Sequence, residues 1–187
     1  MEIQDQIRYR AVTRKTLNDL AAFSACHGKF AYCSCMRWRM RSSEFQKSTK
    51  ESRAKRLGQM VSAGLPVGVL ACAGKEPIGW CSIAPRESYE ALERYKALAR
   101  IDNASVWSVV CFFVDRGFRR KQVTLGLLKA GLEYARSQGA KVVEGYPVEP
   151  GSRLYSYMGS PATFRKAGFQ DVTPDGQQRK VFRCGLQ

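Results

Sequence analysis

Residues 106–135 read VWSVVCFFVDRGFRRKQVTLGLLKAGLEYA, and this stretch decides the fold. The apolar run Val106–Val114 predicts a short strand that is buried on both faces. A basic loop follows, and it opens directly into an amphipathic helix. A strand, loop and helix in this order present free backbone N–H groups and the positive end of the helix dipole to an anion, usually a phosphate. The buried stripe of the helix is predicted at Leu125, Leu128, Leu132 and Ala135.

Two residues inside the loop depart from what such a turn normally contains. Gln122 and Thr124 stand where glycine or another very small residue lets the backbone approach a phosphate closely. A glutamine side chain at that point narrows the phosphate cradle or fills it. The stretch therefore predicts an anion-binding loop and leaves the identity of its ligand open.

The remaining pattern predicts two helices and a hairpin before this stretch, and a strand, a short helix and two closing strands after it. In chain order we predict a strand over Ile7–Val12, a helix capped by Thr13 that runs to about Ala25, an aromatic and basic connector over Cys33–Arg41, a helix between the capping box Ser48–Glu51 and Gly64, a hairpin that turns at Ala73–Glu76, a helix over Glu87–Arg100, a strand over Lys141–Val148, a helix over Pro161–Ala167, and strands over Phe169–Val172 and Arg179–Cys184. This order indicates a mixed α/β fold in one domain over residues 1–187.

The chain is strongly basic, with 31 Lys and Arg residues against 16 Asp and Glu residues and a net charge of +15. The basic residues gather in blocks, and clustered positive charge favours a polyanion through counterion release. A solvated basic face without a partner is the alternative. Arginines alternate with apolar residues around Trp38, as in surfaces that bind unpaired nucleotides, although Trp38 can equally be a buried residue. The predicted nucleic-acid-binding residues are Arg37, Trp38, Arg39, Arg41, Lys50, Arg53, Lys55, Arg56, Arg165 and Lys166.

Seven cysteines, an odd number, lie partly in apolar strand-like runs, which is typical of reduced thiols packed as small hydrophobic residues. The N-terminal residues lack the pattern of a secretory signal, and no apolar run is long enough to span a membrane. We therefore expect a cytoplasmic protein with no membrane partner. Cys26, His27, Cys33 and Cys35 match no common zinc spacing, so we expect no metal site.

Three segments, FVDRGFRRKQVTLGLLKAGLEYA, KVVEGYPV and SPATFRKAGF, together with the element order, resemble the GNAT acyltransferase superfamily over nearly the whole chain. The resemblance implies a GNAT-like mixed central sheet with a splayed parallel strand pair, flanked by helices. The family's loop, Arg/Gln-x-x-Gly-x-Gly/Ala, wraps the pyrophosphate of acyl-coenzyme A. Arg119 matches its first position and Val123 the helix entry, while Gln122 and Thr124 depart from it. Phe164 stands where many members have a tyrosine that protonates the departing thiolate.

Site roles follow from that resemblance. Backbone amides near Phe113 and Val114 would polarise the acyl carbonyl. Donor-binding residues would be Phe113, Arg116, Arg119, Arg120, Lys121, Gln122, Val123 and Thr124. Proton transfer would fall to a group on or after the strand KVVEGYPV, and each tyrosine there can equally be core or cleft wall. With the Val114 backbone, these catalytic candidates are Glu144, Tyr146, Glu149, Tyr155 and Tyr157.

The altered loop and the charge together favour an amide-forming N-acyltransferase whose donor is the 3′ ester of an aminoacyl-tRNA. Such a donor needs no pyrophosphate cradle and no further cofactor, but it needs a basic surface for RNA phosphates. The predicted partners are then tRNA and a small-molecule amine acceptor. One alternative is an acetyl-CoA-dependent N-acetyltransferase of a small molecule or of aminoacyl-tRNA. Another is a non-catalytic RNA-binding module with the same fold.

Overall fold

The computed structural model describes residues 7–152 and 154–186, and its centre is a seven-stranded sheet. The strands are β1 (Ile7–Ala11), β2 (Val69–Ala73), β3 (Glu76–Pro85), β4 (Trp107–Val114), β5 (Val142–Gly145), β6 (Gln170–Asp171) and β7 (Phe182–Gly185). Their order in the sheet is β1-β2-β3-β4-β5-β7-β6. The pair β4–β5 is parallel and every other pair is antiparallel. The predicted mixed sheet with a parallel pair is confirmed.

Helices cover both faces of this sheet. They are α1 (Leu17–Cys26), α2 (Gly28–Cys33), α3 (Ser42–Lys47), α4 (Lys50–Ser62), α5 (Glu90–Glu93), α6 (Val123–Ser137) and α7 (Pro161–Lys166). Strand β2 shows how the two layers form, because successive side chains of a strand point to opposite faces. Val69 and Ala71 pack in the cluster with α6, whereas Leu70 and Cys72 pack in the cluster with α1 and α4.

Several predicted boundaries need correction. The box that caps α4 is formed by Thr49 and Ser52, whose side chains bond each other's backbone N–H, and not by Ser48 and Glu51. On α6 the buried residues of the first two turns are Val123, Leu127 and Leu128, while Leu125 is half-exposed. The sequence pattern also missed α2. The strands after α6 are shorter than predicted, since β5, β6 and β7 have four, two and four residues.

The helix predicted over Glu87–Arg100 is wrong apart from the single turn α5. The segment is a chain of tight turns, in which the N–H groups of Tyr89, Leu92, Tyr95 and Leu98 each bond the carbonyl three residues earlier. The apolar residues repeat every third position, which suits the three residues per turn of such turns and not the 3.6 of an α-helix. Tyr89, Leu92 and Leu98 are buried and pack in one cluster with Ala84 of β3 and Val110 of β4.

Candidate active site

The parallel strands β4 and β5 separate halfway along the sheet. Their pairing runs from Trp107 opposite Val143 to Val109 opposite Gly145 and then stops. In the ladder with β3, Ser82 lies opposite Cys111 and Ile83 opposite Val109, so Val110 is an extra residue that forms a bulge. A bulge bends its strand and increases its twist. The bulge directly follows the last β4–β5 pair, and β4 continues to Val114 with its β5 side open.

The backbone of Val114 is oriented toward this opening. The N–H of Asp115 bonds the carbonyl of Ile78, and Val114 lies opposite Gly79. Because hydrogen-bonded and non-bonded pairs alternate in an antiparallel ladder, Val114 directs its N–H away from β3. The Phe113 amide, by the same alternation, is directed toward β3. Of the two amides predicted near the acyl carbonyl, that of Val114 therefore points to the cleft.

A cavity of about 880 Å³ occupies the opening between the strands. Residues 111–114 of β4 form one wall and residues 148–151 after β5 form another. The helices α2 and α3 and the connector between them add aromatic and basic side chains. Those lining residues are Lys29, Phe30, Tyr32, Cys33, Cys35, Arg37, Trp38 and Phe45. The sequence pattern did not identify Lys29, Tyr32 or Phe45 as site residues.

The loop before α6 keeps the backbone shape that glycine normally provides. Arg120 and Gln122 adopt the left-handed conformation, with φ of 62° and 56°. Gln122 is also the residue that precedes the first turn of α6. Within the described part of the chain, the N–H groups of residues 120–125 have no hydrogen-bond acceptor. The loop therefore presents a row of free amide donors at the positive end of a 15-residue helix.

All of residues 120–125 except Lys121 border a second cavity of about 310 Å³. It adjoins the larger one, since Val114, Arg119, Thr124 and Thr163 line both. Of the predicted donor-binding residues, Arg119, Arg120, Gln122, Val123 and Thr124 line this second cavity and Phe113 lines the first. Arg116 and Lys121 line neither cavity. The structure adds two residues of α7 that the sequence pattern did not place here, Thr163 and Lys166.

Glu144 and Tyr146, two of the predicted proton-transfer groups, line neither cavity. Both are buried. The Glu144 carboxylate accepts hydrogen bonds from Arg86 Nη1 at 2.8 Å, from Arg183 Nε at 2.8 Å and from the Tyr146 hydroxyl at 2.8 Å. Burial raises the pKa of Tyr146 well above its usual range. Both carboxylate oxygens of Glu144 and the hydroxyl of Tyr146 are thus hydrogen-bonded. The network connects β5 to β7 and to the turn that follows β3.

The other proton-transfer candidates are placed differently. Glu149 and Tyr157 line the larger cavity, Glu149 exposed and Tyr157 half-buried. Burial raises the pKa of Tyr157 above its ordinary value, so its hydroxyl keeps its proton at neutral pH. Tyr155 does not line the cavity, because its ring packs on Trp38 and its hydroxyl bonds that of Tyr95 at 3.2 Å. Phe164 is fully buried against other phenylalanines and cannot donate a proton.

The predicted nucleic-acid surface is only partly available. Trp38, Arg39 and Arg53 are buried and do not belong to an exposed basic surface, contrary to their prediction. Arg39 bonds the carbonyl of Val67 and the hydroxyl of Tyr89, and Arg53 bonds the backbone of Ser48. The apolar residues of the alternating segment 36–40 pack into the core. A buried Trp38 was the alternative to a nucleotide-binding Trp38 in the sequence analysis. Of the remaining residues, Arg41 and Arg56 form ion pairs with Glu90 and Glu44, Arg37 lines the cleft, and Lys50, Lys55, Arg165 and Lys166 are exposed.

In residues 7–152 and 154–186, no three His, Cys, Asp or Glu side chains come together as metal ligands. His27 packs instead against the rings of Phe23 and Phe113. None of the helices in the described ranges combines the length and the apolar character needed to cross a bilayer.

Comparisons with known proteins agree with this architecture. The sequence profile of the Acetyltransferase (GNAT) family matches residues 32–159. A comparison with curated proteins gave no match. Among solved structures, PaiA N-acetyltransferase of Thermoplasma acidophilum in complex with coenzyme A is 14% identical, with a TM-score of 0.53, and the alignment covers 96% of this chain and 99% of that one.

Two other solved structures are similar over comparable lengths. NAA60 of Arabidopsis thaliana in complex with acetyl-CoA is 15% identical, covers 96% of this chain and 99% of its own, and has a TM-score of 0.52. AAC(6')-Iy with the bisubstrate analogue CoA-S-monomethyl-acetylneamine is 14% identical, covers 90% and 93%, and has a TM-score of 0.58. These structures share the fold, and the family profile spans more than half of the 187 residues. The chain belongs to the GNAT acetyltransferase family and is an amide-forming acyltransferase.

Proposed function

We propose that this enzyme transfers the acetyl group of acetyl-CoA to the amino group of a small molecule. The observation that carries the proposal is the loop before α6. Arg120 and Gln122 adopt the left-handed conformation that glycine usually supplies, and both line the second cavity together with the first residues of α6. Amide donors at the start of a helix bind phosphate groups well, and the cationic side chains of Arg119 and Lys166 border the same space. A pyrophosphate fits this arrangement of donors and charges.

The adjoining cleft would supply the groups that acyl transfer requires. The amine nitrogen forms a bond to the acyl carbon, the C–S bond breaks, and the sulfur leaves as a thiolate. The N–H of Val114 would stabilise the negative charge that develops on the carbonyl oxygen. Glu149 would accept the proton that the nitrogen releases, and the Tyr157 hydroxyl would give one to the thiolate. Both groups then exchange protons with water and return to their starting states.

Titration calorimetry with coenzyme A tests the donor directly. We expect binding in the micromolar range and release of thiol when acetyl-CoA is mixed with an acceptor amine. Arg119→Ala should weaken coenzyme A binding about tenfold, because a charge-assisted hydrogen bond to phosphate is lost. Arg116→Ala is the matched control, since it removes the same charge from the same loop at a residue that lines neither cavity. Equal effects of the two substitutions would contradict the proposed cradle.

An aminoacyl-tRNA donor is the second candidate, and the side chains of Gln122 and Thr124 favour it. Both line the cavity that a pyrophosphate would enter, and the net charge of +15 suits RNA. If these side chains block the cradle, the double variant Gln122→Gly with Thr124→Ala should gain coenzyme A affinity. Tight, salt-sensitive binding of tRNA, with acyl transfer from its 3′ ester and no binding of coenzyme A, would establish this second candidate. RNA binding without any turnover would indicate the non-catalytic module.

We further propose that the enzyme works in the reducing environment of the cytoplasm. The support for this location is that its seven cysteines are all free thiols. Cytosolic thiols stay reduced, whereas secreted proteins of this size commonly form disulfides. Fractionation of cells that express the chain with an epitope tag tests this location.

A further inference from the structure

The wall of the large cavity that α2, α3 and their connector form contains an arginine without an acidic partner. Arg37 lines this cavity and is half-buried. Its guanidinium makes one side-chain hydrogen bond, from Nη1 to the Ser42 hydroxyl at 3.2 Å. In the described ranges no carboxylate lies within the 4.0 Å that defines an ion pair. Arg41 at the start of α3 and Arg56 in α4 each pair with a glutamate, whereas the buried Arg39 bonds a carbonyl and a hydroxyl and does not line the cavity.

Aromatic rings hold this guanidinium in place. Its central carbon lies 5.8 Å from the centre of the Trp38 ring and 5.9 Å from that of Phe45. Both rings also line the cavity. Apolar walls lower the local dielectric and strengthen any charge interaction that forms between them. Arg37 is thus oriented and partly desolvated, and its remaining donors have no acceptor among the described residues.

The charged side chains that line or flank the large cavity are mostly positive. Arg179 lies 4.4 Å from the centre of the Tyr155 ring, which packs against Trp38. The Nε and Nη1 atoms of Arg179 are buried and have no hydrogen-bond partner in the described part of the chain. Lys29 also lines the cavity without an ion pair to any described residue. Among the described lining residues, Glu149 is the single acid.

We propose that the acceptor amine also carries a carboxylate, and that Arg37 binds this carboxylate. The inference rests on the proposed acetyl transfer and names the class of its substrate. A planar guanidinium pairs with a carboxylate through two parallel hydrogen bonds, and its weak hydration suits a site with aromatic walls. The aromatic lining accommodates an apolar body between the two ends of the acceptor. The amino group then lies toward Val114 and Glu149, and a polycationic amine is disfavoured by the charge around Arg37.

A panel of three matched amines tests the inference. L-phenylalanine carries the carboxylate, L-phenylalaninamide replaces it with a neutral amide, and phenethylamine lacks it. With acetyl-CoA and the wild-type enzyme, we expect kcat/KM for the amino acid to exceed that of the other two by about 10- to 100-fold. Arg37→Gln should remove this preference, and Arg37→Lys should keep part of it. Lys47→Gln is the control, because Lys47 is an exposed cation of α3 that does not line the cavity.

Binding measurements test the inference even if the enzyme acetylates no compound of the panel. Calorimetry in the presence of coenzyme A should show that L-phenylalanine binds wild-type enzyme at least tenfold more tightly than its amide, and that Arg37→Gln abolishes the difference. Equal binding of the two compounds, or a preference that persists in Arg37→Gln, overturns the carboxylate site while acetyl transfer stands. Failure of coenzyme A itself to bind overturns the proposed function instead. Thermal melting of each variant checks that the fold is intact.

Discussion

Replacing Glu144 with glutamine separates a structural role of this carboxylate from a catalytic one. The side chain is 2% exposed and contacts two arginines, and one of them, Arg86, is itself only 1% exposed. Glu144→Gln keeps the shape of the side chain but removes its charge, and it turns an amide N–H₂ group toward one guanidinium. Arg86 then retains a single ion pair, with Glu93 at 2.7 Å.

The expected loss of stability follows from this burial. Removing one partner of a buried ion pair costs about 3–5 kcal/mol, because the other charge stays buried without compensation. For a chain of this size, about 2–4 °C of melting temperature corresponds to each kcal/mol, so we expect a decrease of roughly 6–20 °C. The exposed pair of Glu133 with Arg136 is the matched control, since surface pairs contribute only about 0.2–0.5 kcal/mol.

The assay combines urea unfolding with turnover at a temperature at which the variant remains folded. We expect Glu144→Gln to keep its turnover number within about threefold of wild type, whereas loss of a general base typically costs about 100-fold or more. Glu133→Gln should change neither quantity. A variant of Glu144 that unfolds like wild type but has lost its activity would refute the structural assignment. It would indicate that Glu144 takes part in the reaction.

Three other outcomes follow from the packing and the pKa values. Gly145→Ala should destabilise the fold by at least about 2 kcal/mol in urea unfolding, because its Cβ would overlap the ring of the buried Phe164. The hydrogen bond from Arg183 lowers the pKa of Asp102 to about 2, below its value of about 3.9 in the unfolded chain. The ionised carboxylate therefore stabilises the fold above about pH 4, and this contribution disappears as the pH falls toward 2. Asp102→Asn should remove that part of the acid dependence when urea midpoints are measured against pH. Burial raises the pKa of the Cys33 thiol to about 11. The rate of its alkylation by iodoacetamide, measured by mass spectrometry, should therefore rise about tenfold per pH unit up to about pH 10 without levelling off.

The sequence predicted the central strand, loop and helix well because local signals determine them. An apolar run predicts β4, and the stripe of α6 repeats at helical spacing and ends at Gly139, whose φ is 82°. The hairpin between β2 and β3 likewise turns at a glycine, Gly74, with φ of 58°. These features depend on backbone conformations and on burial patterns within one short segment. Local patterns of this kind are visible in a single sequence.

The partners of Glu144 could not be predicted in the same way. A charged residue in an apolar strand indicates either a buried pair or a functional group, and the choice depends on what faces it. Arg86 and Arg183 lie 58 and 39 residues away along the chain. The sheet order places all three side chains together, and no sequence pattern gave that order between β3, β5 and β7. The cavity wall formed by α2 and α3 was missed for the same reason, since these helices lie outside the central strand, loop and helix.

The left-handed backbone at Gln122 has a consequence for how this position can vary. A non-glycine residue in this conformation costs about 1 kcal/mol, and glycine would relieve that strain while increasing the entropy of the unfolded chain by a similar amount. The two effects nearly cancel, so the stability of the fold places little constraint on the residue at position 122. Natural variation there would then report on what the enzyme binds and not on how it folds. A collection of related chains sorted by this one residue should separate according to the molecule held against the loop.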